Sequence, residues 1–170
     1  MDRISVVGIS GAGKSTLSNK LGKKLNLPVF HLDKYFWDVG WKKRYEIKEE
    51  FTAVVNGFAN QDKWIIDGNY TSSNLDLRFE KADTIIFLDL PKYRCLWRVF
   101  IRVFDRKQPF DKTEGVKQKA DWALVQWILT YKTDEIRTRV AKHKKEDKNV
   151  FVVRNNREIN GLLEKLGNMQ

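Results

Sequence analysis

The stretch Val6 to Leu17, VVGISGAGKSTL, breaks an apolar run with small residues and then presents a lysine. Gly8, Gly13, Lys14 and Ser15 fit the spacing G-x-x-x-x-G-K-[ST], in which glycines let backbone N–H groups turn inward around a phosphate. The flanks agree with that reading. Ile4, Val6 and Val7 are β-branched and apolar, as a buried parallel strand requires. Leu17, Leu21 and Leu25 share one helical face and predict a helix over Thr16 to Leu25. The helix start adds unsatisfied N–H groups and a positive dipole end to the loop. Gly8, Ile9, Ser10, Gly11, Ala12, Gly13, Lys14, Ser15 and Thr16 are therefore expected to cradle the phosphates of ATP. Lys14 would reach the β- and γ-phosphates, and the Ser15 hydroxyl would hold magnesium.

Five apolar runs read as strands: Arg3 to Gly8, Val29 to Leu32, Trp64 to Asp67, Thr84 to Leu90 and Asn149 to Arg154. Long helical segments between them call for right-handed crossovers and a parallel sheet covered on both faces, a three-layer α/β/α sandwich. A chain of 170 residues is expected to form one domain. Ligands of such sheets bind beyond the carboxyl ends of the strands. Asp33, Asp67 and Asp89 fall there, where a carboxylate can support magnesium or accept a proton from a hydroxyl. Asp67 and Asp89 compete for the metal; Asp89 runs into Leu90-Pro91, a turn signal, which favours Asp67. His31, two residues before Asp33, reads as a structural histidine.

The formal charge of +10 favours polyanionic partners, which include nucleotides, nucleic acid and an anionic membrane surface. Cys95 is the one cysteine, so no internal disulfide forms and a reducing cytoplasm is the expected location. No apolar run approaches the ~20 residues of a membrane span. Arg94, Arg98 and Arg102 recur every four residues, with Arg106 beyond them. On a helix they form a stripe, with Leu96, Phe100, Val103 and Phe104 pointing elsewhere. The stripe suits a transferring phosphoryl group, a membrane surface or a solvated face. Trp37 and Trp41 sit in an aromatic segment, HLDKYFWDVGW, that reads as a loop able to stack a planar substrate or to close a core edge. Thr133 to Lys148, the most polar stretch, reads as a solvated helix.

GISGAGKSTL, HLDKYFWDVGW, WIIDGNY, LDLRFEKADTIIFLDLP, CLWRVFIR and VVRNNREINGLL, in that order, resemble the bacterial DNA topology modulation proteins, FlaR-like relatives of adenylate kinase among the P-loop kinases. The resemblance implies a five-stranded parallel sheet in the order 2-3-1-4-5 and a short mobile lid around 105–116. It also implies an ATP- and magnesium-dependent phosphotransferase acting on a small acceptor, a nucleotide or nucleoside. Arg98 and Arg102 match lid arginines and join Lys14 and Asp33 as the expected catalytic set. Asn155 and Arg157 match the place where such kinases hold adenine. Asp33, Trp37, Trp41, Asp67, Asn69 and Arg78 are the expected acceptor residues. Asp67-Gly68-Asn69-Tyr70 lacks the Pro-Arg continuation of adenylate kinases, a departure from the AMP-binding pattern. The alternative is a nucleotide-regulated protein that contacts DNA phosphates.

Overall fold

A computed structural model describes residues 1–38, 42–104, 122–144 and 148–167. The chain opens with β1 (Arg3–Gly8), α1 (Lys14–Leu25), β2 (Val29–His31), α2 (Leu32–Phe36), β3 (Trp37–Asp38), β4 (Lys42–Lys43) and α3 (Lys48–Ala59). It continues through β5 (Trp64–Asp67), α4 (Leu75–Lys81), β6 (Thr84–Leu88), α5 (Lys92–Phe104), α6 (Trp122–Thr130), α7 (Thr133–His143), β7 (Asn149–Val153) and α8 (Asn156–Gly167).

Five strands form one sheet in the order β2-β5-β1-β6-β7, every pair parallel. Counted among the sheet strands alone, that is 2-3-1-4-5, as expected. Successive side chains of a strand point to opposite faces, and the continuous apolar runs serve both. On one face Ile4, Val6, Ile65 and Ile86 meet Leu17 and Leu21 of α1, Val99 of α5 and Leu162 of α8. On the other, Val7, Ile66 and Ile85 meet Phe51 and Val55 of α3, Phe79 of α4 and Ile136 and Val140 of α7. The result is an α/β sandwich with the phosphate loop at the carboxyl edge of its middle strand.

Three strands are shorter than the sequence reading. β2 stops at His31 because Leu32, fully buried, already begins α2. β6 and β7 end together at the Leu88–Val153 pair, the last in register. Of the segment expected as a loop at 31–41, residues 32–38 are instead a short helix followed by a two-residue strand, with Trp37 paired to Lys43 and Asp38 to Lys42. Its apolar residues fix it from below, since Phe36 packs on Phe51 at 4.9 Å. The polar stretch from Thr133 holds a helix as expected, with Arg137 and Lys142 on its exposed face and Ile136, Val140 and His143 of α7 buried. On α5 the buried residues are Cys95 and Val99, while Tyr93, Trp97 and Phe100 face solvent. Trp41, Arg106 and the expected lid lie outside the described residues, as does the side chain of Arg102. No described helix is long and apolar enough to cross a membrane.

Two helical glycines give opposite expectations for one substitution. A Cβ on Gly22 of α1 would meet Val29 Cγ2 at 2.3 Å and the Leu27 carbonyl at 3.1 Å, so overpacking costing about 1–3 kcal/mol outweighs the gain of about 1 kcal/mol in helix propensity. Gly57 of α3 has nothing within 4 Å of that position. Urea unfolding should show Gly22→Ala less stable and Gly57→Ala more stable than the parent protein.

Candidate active site

The site begins where β1 runs into α1. The chain turns at Gly11 with φ +80 and at Gly13 with φ +97, conformations that side chains rarely adopt. A Cβ on Gly11 would also fall 2.4 Å from the carbonyl oxygen of Cys95, so α5 packs on the loop only because a glycine is there. The Ala12 N–H closes the turn onto the Ile9 carbonyl at 3.1 Å. Lys14 folds back over the loop, its Nζ donating to the same carbonyl at 3.3 Å. The start of α1 has Gly13 at its N-cap, no side-chain cap and no acid in the first turn. Donors and dipole are thus left for an external anion.

One strand over, β5 delivers Asp67 beside Val6 and His31. Asp67 is buried, and its Oδ2 lies 2.7 Å from His31 Nδ1. His31 Nε2 faces Asn19 Oδ1 at 3.4 Å, and Asn19 Nδ2 donates to the Ser15 carbonyl at 2.9 Å. Asn69, two residues past Asp67, accepts the Gly8 N–H at 2.9 Å through Oδ1 and donates from Nδ2 to the Tyr131 hydroxyl at 2.6 Å. Arg78 is completely buried beneath this turn and donates to the carbonyls of Gly68 and Asn69. Its η nitrogens therefore hold backbone, not the open site where an acceptor contact was expected. Burial lowers the guanidinium to about 10 against the pull of Asp67 and Tyr70, so it remains a cation at neutral pH.

The side where an acceptor was expected is built on α2. Asp33 lies exposed in its first turn and accepts the Tyr70 hydroxyl at 2.5 Å. Burial, then the Asp33 charge, push the Tyr70 phenol well above its ordinary range, which keeps it a donor. Its ring packs 5.0 Å from both Phe36 and Phe51. Trp37 stands edge-on to Phe36 at 4.8 Å, half-buried at the rim of this aromatic wall.

On the opposite side of the loop, Arg98 Nη1 donates to the Ala12 carbonyl at 2.7 Å and Nη2 to Asn156 Oδ1. Asn155 caps α8: its Oδ1 accepts the Glu158 N–H at 2.9 Å, while Glu158 receives the Asn155 amide and the Arg154 N–H. This reciprocal cap occupies both polar atoms of the side chain expected at adenine. Arg157 is exposed in the first turn of α8. Asp89 is bound bidentately by Arg137 at 2.9 and 3.1 Å, so both of its oxygens are paired. Magnesium keeps several waters and binds through one or two carboxylates plus phosphates. Ser15 and Asp67, joined through Asn19 and His31, fit that limited donor set, and the described residues hold no cluster of three His, Cys, Asp or Glu able to hold a metal ion.

Sequence reasoning missed Asn19, Tyr70, Tyr131 and Arg137. Asn19 carries a local signal, since it stands one helical turn after Ser15. Tyr131 and Arg137 carry none, because their partners are 62 and 48 residues away. Arg137 also helps line an open cleft of about 710 Å³ beyond β6, together with Asp89, Tyr131, Lys132 and Arg154.

A family profile described as an AAA domain matches residues 4–161. The protein YqaC of Bacillus subtilis (strain 168), itself described as uncharacterized, is 29% identical over 138 residues, covering 80% of this chain and 77% of that one. Among solved structures, the shikimate kinase from Bacteroides thetaiotaomicron superposes with a TM-score of 0.59 at 18% identity, covering 99% of this chain and 97% of that one. The deoxyadenosine kinase from M. mycoides gives 0.55 at 18% identity, covering 99% and 100%. A gluconokinase from Sinorhizobium meliloti 1021 gives 0.55 at 15% identity, covering 99% and 94%. At these identities the likeness is one of fold. With a match along most of its length, the chain belongs to the AAA domain family and has the fold of the P-loop kinases.

Proposed function

We propose that this protein is a single-domain ATP-dependent phosphotransferase that moves the γ-phosphoryl group to a hydroxyl of a small acceptor, a nucleoside or nucleotide, in the cytoplasm. The observation that carries the reading is the meeting of an uncapped, glycine-turned phosphate loop and a hydroxyl-bound carboxylate, Asp33, on one edge of the sheet. The kinases of like fold named above act as support.

In this reading the backbone from Gly8 to Thr16 and the Lys14 ammonium bind the phosphates. Ser15 and Asp67 would hold magnesium, which supplies charge neutralisation at the phosphoryl oxygens. Asp33 accepts the proton of the acceptor hydroxyl as that oxygen attacks phosphorus. The Tyr70 hydroxyl on Asp33 marks the position that an acceptor hydroxyl takes. Trp37 and the Phe36–Tyr70 wall flank a planar acceptor, with Asn69 close by. Arg98 lies over the loop, its Nη1 3.4 Å from where a Gly13 side chain would begin. From there it meets charge developing on the transferred group, together with Arg102. Arg157 remains the adenine-side contact, with Asn155 shaping the turn that carries it.

The test is transfer of labelled γ-phosphate from ATP to a panel of nucleosides, nucleotides and other hydroxylated metabolites. Lys14→Ala should lower transfer by about 10²–10³ while urea stability stays within about 0.5 kcal/mol, because its ammonium makes only a long bond of 3.3 Å to the Ile9 carbonyl at the loop, outside the apolar core. Asp33→Asn should lower turnover by about 10²–10⁴ with ATP affinity within a few-fold; loss of magnesium-dependent ATP binding instead would make Asp33 a metal ligand. Arg98→Ala should lower turnover by up to ~10³. Normal turnover with a shallower salt dependence of DNA binding would assign Arg98 to DNA phosphates.

A further inference from the structure

The turn after β5 grips the phosphate loop at both ends. Through Asn69 it takes the N–H of Gly8, where the loop begins. Through Asp67, His31 and Asn19 it reaches the carbonyl of Ser15, where the loop has become helix. The turn itself has an unusual backbone. Gly68 has φ +124, which glycine adopts freely, and Tyr70 has φ +35, which a non-glycine residue keeps only where surrounding structure over-determines it.

Arg78 supplies that constraint. It is 0% exposed, and its two η nitrogens hold the consecutive carbonyls of Gly68 and Asn69. Its Nε has no hydrogen-bond partner among the described residues. Burying a cation with one N–H unpaired is costly, and an apolar residue would satisfy the core around Leu75 and Phe79 at least as well. What it could not do is span two adjacent carbonyls, a task for the planar fork of a guanidinium.

We propose that Arg78 is a positioning residue, which pins the Asp67-Gly68-Asn69 turn so that its two arms hold the phosphate loop in its phosphate-accepting shape. The proposal rests on the loop being a polyphosphate site. Loosening the turn lowers the fraction of molecules with a competent loop, and the apparent affinity falls by that fraction. Binding of the triphosphate alone is affected, with no need for a base or an acceptor.

The test is calorimetric titration of MgATP and of magnesium tripolyphosphate into the parent protein, Asn69→Ala, Arg78→Lys, the double variant, and Val55→Ala as a core-destabilised control. Asn69→Ala and Arg78→Lys should each weaken tripolyphosphate binding by about tenfold, and the double variant should be no worse than about the weaker single one, because both changes act through one turn. Val55→Ala should bind normally below its unfolding transition. Unchanged affinity in the two single variants, losses that multiply in the double, or an equal loss in Val55→Ala would each overturn the proposal. If Arg78→Lys does not fold, Asn69→Ala decides, since its side chain is only half-buried and normal tripolyphosphate binding there refutes the bracket. A parent protein that binds neither MgATP nor tripolyphosphate removes the phosphate-site reading itself, a result distinct from every variant-specific one.

Discussion

The glycine-turned loop that runs into the uncapped start of α1 is the constraint from which the rest of the molecule is organised. The start of α1 carries no side-chain cap and no acid, and a helix end of that kind is tolerated where an anion or water completes it. Holding it open needs glycines at backbone angles that other residues resist, and it needs walls. β1 supplies the approach, α5 closes over Gly11, and the turn after β5 closes from the other side. Each wall is itself anchored in one of the two apolar faces of the sheet. Core packing and phosphate geometry are therefore one structure seen at two depths.

The parts that were legible in the sequence are those written by local pattern. The loop spacing, the apolar runs and the helical period of Leu17, Leu21 and Leu25 gave the sheet and the phosphate site, because period and glycine placement act within a few residues. Asp33 was legible for the same reason, as an acid just past a strand. Three kinds of feature were not. The α2–β3–β4 segment looks like a loop because its helix is one turn long and its strands are two residues each, too short to build a period. Asn155 was placed at adenine by the resemblance alone, and its cap with Glu158, three positions on, is a second role that the spacing could have signalled. Arg78 was expected at an acceptor rather than beneath the turn, since nothing in LDLRFEK tells a buried arginine from an exposed one.

The excess of positive charge also changes meaning once the chain is folded. Several cations are committed to carbonyls and carboxylates inside the molecule. Lys148 donates to the carbonyls of Phe79 and Glu80 at the end of α4, and Lys92 to that of Leu129 near the end of α6, where the negative ends of helix dipoles lie. Arg137 and Arg139 join α7 to Asp89 and Asp76. Within a net charge of +10, Lys92 and Lys148 thus work as ties between elements.

The contact of Gly11 with the Cys95 carbonyl couples the loop to the chain's one thiol. Cys95 is fully buried, on the same turn of α5 whose backbone touches the loop. A buried thiol is inert towards alkylation until the structure around it opens. Any ligand that binds the closed loop and not the opened one draws the equilibrium towards closure. The rate at which the Cys95 sulfur is alkylated would then report on a ligand at the loop, with no label added to the protein.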